Sequence, residues 1–286
     1  MKQLNLKEYF VPASIEEALH ILDEYAGNIE IIAGGTDMCV DEHPELDAML
    51  DITKLGLDGI RLEGDVLCLG SCVTYDAIIK SQTVKETFRA LWDASNVLAD
   101  MTVRNIATVG GNICSAVPSG DAIPPMLACD AAFVLISKEG ERIVKADDFF
   151  TGPRKTVLGK NEMIKEFRLA LPDGKYASAF EKVARNSVDL ANANAAVFIS
   201  CASDRSVKDI GIALGAVAPT VVRAKKAEKL LLGKKPTEAL LDELREIIPA
   251  VVAPITNIRS TKEYRTDVIQ VLAKKAILRA YDSASA

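Results

Sequence analysis

Ile31-Ile32-Ala33-Gly34-Gly35-Thr36-Asp37 is an apolar run that ends on a glycine pair, and Thr108-Val109-Gly110-Gly111-Asn112 repeats that ending further along the chain. An apolar run closed by two glycines reads as a buried strand followed by a turn in which the backbone takes φ > 0. Such a turn also leaves N–H groups bare for an anion, and two of them suit one pyrophosphate gripped from both sides. Neither pair has the G-x-G-x-x-G spacing of the Rossmann fingerprint or the G-x-x-x-x-G-K-[ST] spacing of a P-loop. The chain reads as a phosphate or dinucleotide binder of another design, with plain tight turns, the second capped by Asn112, as the alternative.

Working outward, Ser14-Ile15-Glu16-Glu17 has the pattern of a capping box. It opens a helix with Ile15, Ala18, Leu19 and Leu22 on one face, stopped by Gly27. The apolar strand 29–33 follows, then a short strand at 51–53 and an extended run at 66–69 before Gly70. Val73-Thr74-Tyr75-Asp76 leads into a helix, and residues 85–99 carry Phe88, Leu91, Trp92, Ser95 and Leu98 at helical spacing. After the second glycine pair come a short proline-bounded helix near 124–129 and a strand pair across 131–144 turning at Lys138-Glu139-Gly140. Leu171-Pro172-Asp173-Gly174 is the strongest turn signal and places a domain boundary, giving units 1–172 and 173–286. In the second unit, runs at 178–184, 194–202 and 207–217 form a three-stranded antiparallel meander with a hairpin at Ser203-Asp204-Arg205. Helices at about 221–232, 236–248 and 260–280 back it. The class is α+β, with local β–α–β pieces in the first unit.

A length of 286 residues with 49% apolar composition supports ordinary cores in two domains. The formal net charge of −6 argues against a nucleic-acid surface, and Lys225-Lys226 and Lys234-Lys235 read as solvated helix faces. The charged start, residues 1–8, lacks the apolar stretch of a signal peptide. The most apolar segment, 122–136, is broken by Pro124, Pro125 and Asp130. No membrane span is expected, and the cytoplasm is the expected location. The six cysteines, at 39, 68, 72, 114, 129 and 201, contain no C-x-x-C. On an extended strand Cys68 and Cys72 stand about 13 Å apart, too far for one disulfide or one metal. All six read as small buried hydrophobes.

Two histidines are present, His20 on the first helix and His43 in Asp41-Glu42-His43-Pro44, and both read as surface residues. Ser-His-Asp, Cys-His and His-ligated zinc chemistry are therefore poorly supplied. The acidic pairs Glu16-Glu17 and Asp147-Asp148 are explained by solvation and by the helix dipole. No catalytic side chain and no metal ligand stand out, so the chemistry is expected to come from a cofactor. Residues 101–125 are the place to look: Gly110 and Gly111 for backbone donors, Asn112, Ser115 and Ser119 for further hydrogen bonds, Asp121 as an acceptor. Arg104 reads as a phosphate partner or as a structural salt-bridge donor.

Ile32-Ala33-Gly34-Gly35-Thr36-Asp37 and Arg104-Asn105-Ile106-Ala107-Thr108-Val109-Gly110-Gly111-Asn112-Ile113-Cys114 resemble the two FAD loops of the flavoprotein subunits of molybdenum hydroxylases. The likeness continues through Pro118-Ser119-Gly120-Asp121, Phe149-Phe150-Thr151-Gly152-Pro153, Leu214-Gly215-Ala216-Val217-Ala218-Pro219-Thr220 and Ser260-Thr261-Lys262-Glu263-Tyr264-Arg265. It is nearest to the separate FAD subunits of bacterial xanthine dehydrogenases, with the medium subunits of carbon monoxide and nicotinate dehydrogenases as near relatives. The resemblance implies a PCMH or vanillyl-alcohol-oxidase type FAD-binding domain of two α/β subdomains, followed by a CO dehydrogenase flavoprotein-type C-terminal domain.

By the same resemblance Glu30, Ile31, Ile32, Ala33, Gly34, Gly35, Thr36 and Asp37, with Thr108, Val109, Gly110, Gly111 and Asn112, hold the pyrophosphate. Ser115 and Asp121 face the ADP half, Ile164 packs near the adenine, and Lys182 contacts the flavin. The implied partners are a molybdopterin-binding large subunit and a [2Fe–2S] small subunit, with NAD as electron acceptor. Leu98 stands where some relatives place an aromatic ring. Subunits serving nicotinate, CO or an aldehyde, a self-contained flavoenzyme, and a nucleotide-binding scaffold without redox activity are the alternatives.

Overall fold

A computed structural model describes residues 6–25, 27–38, 40 and 46–286. Cys39, His43 and most of the charged N-terminal stretch discussed above lie outside the described residues. The capping box forms with a small shift. Ser14 Oγ accepts the Glu17 amide at 3.1 Å, and the Glu17 carboxylate takes the amide of Ala13 at 2.8 Å instead of that of Ser14. The helix Ile15–Tyr25 buries Ala18, Leu19 and Leu22 against a parallel sheet ordered Glu8–Phe10, Ala48–Asp51, Ile29–Ile32. The strand expected at 51–53 runs instead from Ala48 to Asp51. Asp51 ends it by accepting from the amide and hydroxyl of Thr53 at 2.9 and 2.6 Å, a turn that withdraws the backbone from the ladder.

A second sheet of five antiparallel strands is ordered Ile60–Glu63, Val66–Gly70, Met163–Ala170, Ala132–Ser137, Gly140–Lys145. Short helices cover it and share its core of Leu67, Leu69, Phe133 and Phe167. The single helix expected over 85–99 is two, Gln82–Thr87 and Arg89–Asn96, with Phe88 between them at φ −140° and ψ 64°. The break puts the Phe88 ring fully inside the core, edge-on to Phe198 at 6.3 Å. The Ala90 amide, at the start of the second helix, donates to Ser178 Oγ at 2.9 Å. Both partners are remote in sequence, so local helical spacing does not reveal them.

The third sheet is ordered Lys175–Val183, Ala193–Cys201, Val207–Gly215, Val222–Arg223. It has four strands where the sequence suggested three. Val222 and Arg223 pair with Leu214 and Ala213, so the next helix begins at Lys225, not 221. Arg223 is fixed there by Glu228 at 2.7 Å and by the Leu127 carbonyl at 2.7 Å. The helix expected over 236–248 divides into Glu238–Asp242 and Leu244–Ile247, and Lys262–Ser285 is one long helix.

All 9 residues of Ala193–Cys201 are buried because both faces of the strand are covered. Ala196 and Phe198 face the core built on the five-stranded sheet, whereas Ala195, Val197 and Ile199 face the core shared with the long helix. Among the described residues no helix is long and apolar enough to cross a membrane.

The sheet meets the first unit most closely at Gly211, where a Cβ would lie 1.9 Å from the carbonyl oxygen of Ala128. Gly211→Ala is expected to cost about 2–3 kcal/mol in urea unfolding, the upper range for overpacking. Gly152→Ala, whose nearest new neighbour is 3.8 Å away, should stay within about 0.5 kcal/mol of the parent.

Candidate functional site

The two glycine pairs meet in space, and within each pair the glycines divide their work. A Cβ on Gly34 would lie 1.9 Å from the carbonyl oxygen of Ile106, and one on Gly110 would lie 2.5 Å from that of Ser71. These first glycines join backbone to backbone. The second ones are different: Gly35 holds φ +67°, and Gly111 is exposed, its absent Cβ facing only Thr108 Oγ1 at 3.1 Å.

The second pair is not an open loop with bare donors. It is the first turn of the helix Val109–Ser115, capped by Thr108. The amides of Val109, Gly110, Gly111 and Asn112 are taken by Val73 O, Ser71 O, Thr108 Oγ1 and Thr108 O. By contrast, the amides of Gly34, Gly35 and Thr36 donate to no acceptor among the described residues. One turn supplies donors and the other supplies clearance.

A cavity of about 440 Å³ lies on one side of this joint and one of about 330 Å³ on the other. Glu30, Ile31, Ala33, Gly111 and Cys114 line both, so the cavities are two ends of one cleft. The larger end also takes Ile32, Gly34, Gly35, Thr36, Asp37, Thr108, Asn112, Ser115, Asp121 and Lys182. The smaller end takes Gly110 and Ile164, with Leu22, Ile29 and Met163 as apolar wall. Val109 lines neither, its side chain being fully buried in the core. Ser115 and Asp121 thus share an end with Leu98 and Lys182, and Ile164 sits at the other.

Asp121 is buried and both of its oxygens are engaged. Lys182 Nζ reaches Oδ2 at 2.6 Å, and Asn194 Nδ2 reaches Oδ1 at 2.8 Å. Lys182 also donates to the Val97 carbonyl at 3.0 Å. Burial pushes the Asp121 carboxyl above its ordinary range, and Lys182 and Asn194 pull against that. Lys182, Asn194 and Gly215 stand in one row across three adjacent strands. A Cβ on Gly215 would lie 2.1 Å from Asn194 Oδ1, so only glycine leaves the amide room.

Arg104 forms no ion pair among the described residues. Its guanidinium binds the carbonyls of Leu98 and Ala99 at 2.9 and 2.7 Å and so shapes the cavity wall. No group of three or more His, Cys, Asp or Glu among the described residues is placed to hold a metal. Cys68, Cys72, Cys114, Cys129 and Cys201 are free thiols.

The cleft also contains polar atoms that the fold leaves unpaired. Tyr75 and Ser119 line the larger end, and their hydroxyls are buried without a partner among the described residues. Buried polar groups are nearly always satisfied, so orphans on a cavity wall fit a polar ligand lying between them. Sequence reasoning passed over Tyr75 and Asn194. For Asn194 the one signal is an amide inside the apolar run Ala193–Cys201; Tyr75, on a helix start, gave none.

Two adjoining cavities, the larger lined by amides that no described residue accepts, fit a class: proteins that hold one two-headed dinucleotide. Residues 3–172 match the FAD binding domain in molybdopterin dehydrogenase, and residues 178–280 match the CO dehydrogenase flavoprotein C-terminal domain. The carbon monoxide dehydrogenase medium chain of Hydrogenophaga pseudoflava is 32% identical over 278 residues, covering 96% of each chain. The xanthine dehydrogenase FAD-binding subunit of Escherichia coli O157:H7 is 31% identical over 284 residues, again 96% of each. The structure of reconstituted CO dehydrogenase from Oligotropha carboxidovorans superposes with a TM-score of 0.94 at 29% identity, over 99% of this chain and 100% of that one. The chain belongs to the FAD-binding medium subunits of the molybdenum hydroxylases.

The buried pair sets a pH signature. Lys182→Met raises the Asp121 carboxyl further, and a carboxyl whose folded pKa exceeds its unfolded one weakens the fold as pH rises between the two. The variant should lose about 3–5 kcal/mol near neutral pH. The loss should shrink toward about pH 5, and adding Asp121→Asn should flatten the dependence and restore most of the stability in urea unfolding.

Proposed function

We propose that this subunit is the electron relay of a xanthine dehydrogenase-like enzyme, assembled with a molybdopterin-binding large subunit and a [2Fe–2S] small subunit. Bound FAD supplies the capacity to take electrons singly from the iron–sulfur partner and to release them as a pair to NAD⁺. The observation that carries the reading is the pair of adjoining cavities at the glycine joint: FAD is two flat heads linked through a pyrophosphate, and the two cavities share Ala33 and Gly111, beside which Gly34, Gly35 and Thr36, whose amides no described residue accepts, line the larger end. Gly34, Gly35 and Thr36 offer donors to the pyrophosphate, and Gly111 lets it pass close to the backbone. Ile164 and its apolar neighbours suit the adenine, and the larger end, between Leu98 and Lys182, suits the flavin. Asp121 and Ser115 then serve the flavin half, a change from the ADP half that the resemblance suggested. Residues 1–172 would form the FAD-binding unit and 173–286 the C-terminal unit, which supplies Lys182 and Asn194.

A subunit serving a different hydroxylase is the second reading. Relatives named for carbon monoxide and for xanthine are almost equally similar to this chain. The partner subunit, not this one, would hold the substrate.

Purified protein is expected to show flavin absorbance and to release FAD on denaturation; a colourless chain that takes up no FAD would sink the reading. Gly111→Val should weaken FAD binding at least about tenfold, with unfolding stability held within about 1 kcal/mol. Anaerobic bleaching of the bound flavin by NADH would support NAD as acceptor, and its failure would exclude NAD while leaving the FAD assignment intact.

A further inference from the structure

The residue that opens the helix Tyr75–Lys80 is stitched to the second glycine segment. The Tyr75 amide donates to Ala107 O at 3.2 Å, Val109 donates to Val73 O at 2.9 Å, and Thr74 bridges Thr108. The ring therefore has little freedom to move independently of the cleft. It is completely buried and lines the larger end. The core elsewhere fills such positions with phenylalanine, at Phe88, Phe133, Phe149 and Phe167. At 75 the ring carries a hydroxyl that no described residue pairs with, which is a burden to a fold that has nothing else for it to bind. Ser119, from a separate segment, presents a second orphaned hydroxyl to the same end.

Resting on the FAD reading above, we infer that the Tyr75 hydroxyl, seconded by that of Ser119, is a binding group for the flavin half of the cofactor, donating a hydrogen bond to an acceptor there. Burial, together with the charges of Asp121 and Asp37 on the same cavity wall, holds the phenol well above its usual range. It therefore stays protonated and able to donate. No described residue competes for that proton, so the bond is expected to form when the cleft is filled.

The distinguishing property of this arrangement is that the hydroxyl should matter to binding and not to folding. In Tyr75→Phe the ligand-free thermal midpoint should be unchanged or higher. The FAD dissociation constant should rise about five- to tenfold, and the visible absorption band of the bound flavin should shift. Binding of ADP, which lacks the flavin half, should be unaffected, and Ser119→Ala should reproduce the pattern more weakly. FAD affinity within about twofold of the parent, a lowered ligand-free midpoint, or equal weakening of ADP and FAD would each overturn the inference. A parent protein that binds no FAD would instead remove the reading on which it rests, and that is seen before any variant is compared.

Discussion

Backbone touching backbone is the constraint on which this molecule depends. At Gly34 against Ile106, at Gly110 against Ser71 and at Gly211 against Ala128, two chain segments approach more closely than any side chain allows. The first joins the turn after Ile29–Ile32 to the segment before the helix Val109–Ser115, and the second seats that helix on the end of the strand Val66–Gly70. The third seats the C-terminal sheet on the helix Ile123–Ala128, so that Phe198 and Ala196 extend the core of the first unit. A methyl group at any of the three would part the two backbones, and at Gly34 or Gly110 the segments so parted line the cavities.

Chemistry enters this frame from an unusual direction. The described part of the cleft contains no histidine, and its one buried ion pair spans the two family modules. What the chain supplies is arrangement: amides without a described acceptor, a charged pair and orphaned hydroxyls at one end, clearance at Gly111 where the two ends adjoin, and apolar surface at the other. That is the equipment of a subunit that holds a redox group still and dry, and it agrees with membership of a family named for its FAD-binding domain.

Much of this was legible in the amino acids. The capping box at Ser14, the hairpins and the meander after Gly174 are local signals, and they appear close to where the sequence places them. The glycine pairs were recognisable as special, yet their division of labour was not. Whether a glycine faces a ligand or a neighbouring carbonyl depends on a partner 72 residues away for Gly34 and Ile106, well beyond any local pattern. The break at Phe88 and the short strand at Val222–Arg223 were hidden for the same reason, since Phe198, Ser178 and Leu127 decide them. The partners of Asp121, Lys182 and Asn194, come from strands that the sequence could predict but not position.

The row of Lys182, Asn194 and Gly215 has a consequence for how such chains can be rearranged over time. A turn at Leu171–Gly174 divides the sequence into two recognisable modules, and modules invite shuffling. Here the first module contains a buried carboxylate, and its counter-charge arrives on the second. Inherited alone, the first would keep the carboxylate without its counter-charge. The two pieces are separable as text and inseparable as a folded object, so recombination between relatives would have to carry the pair together or replace both of its members at once.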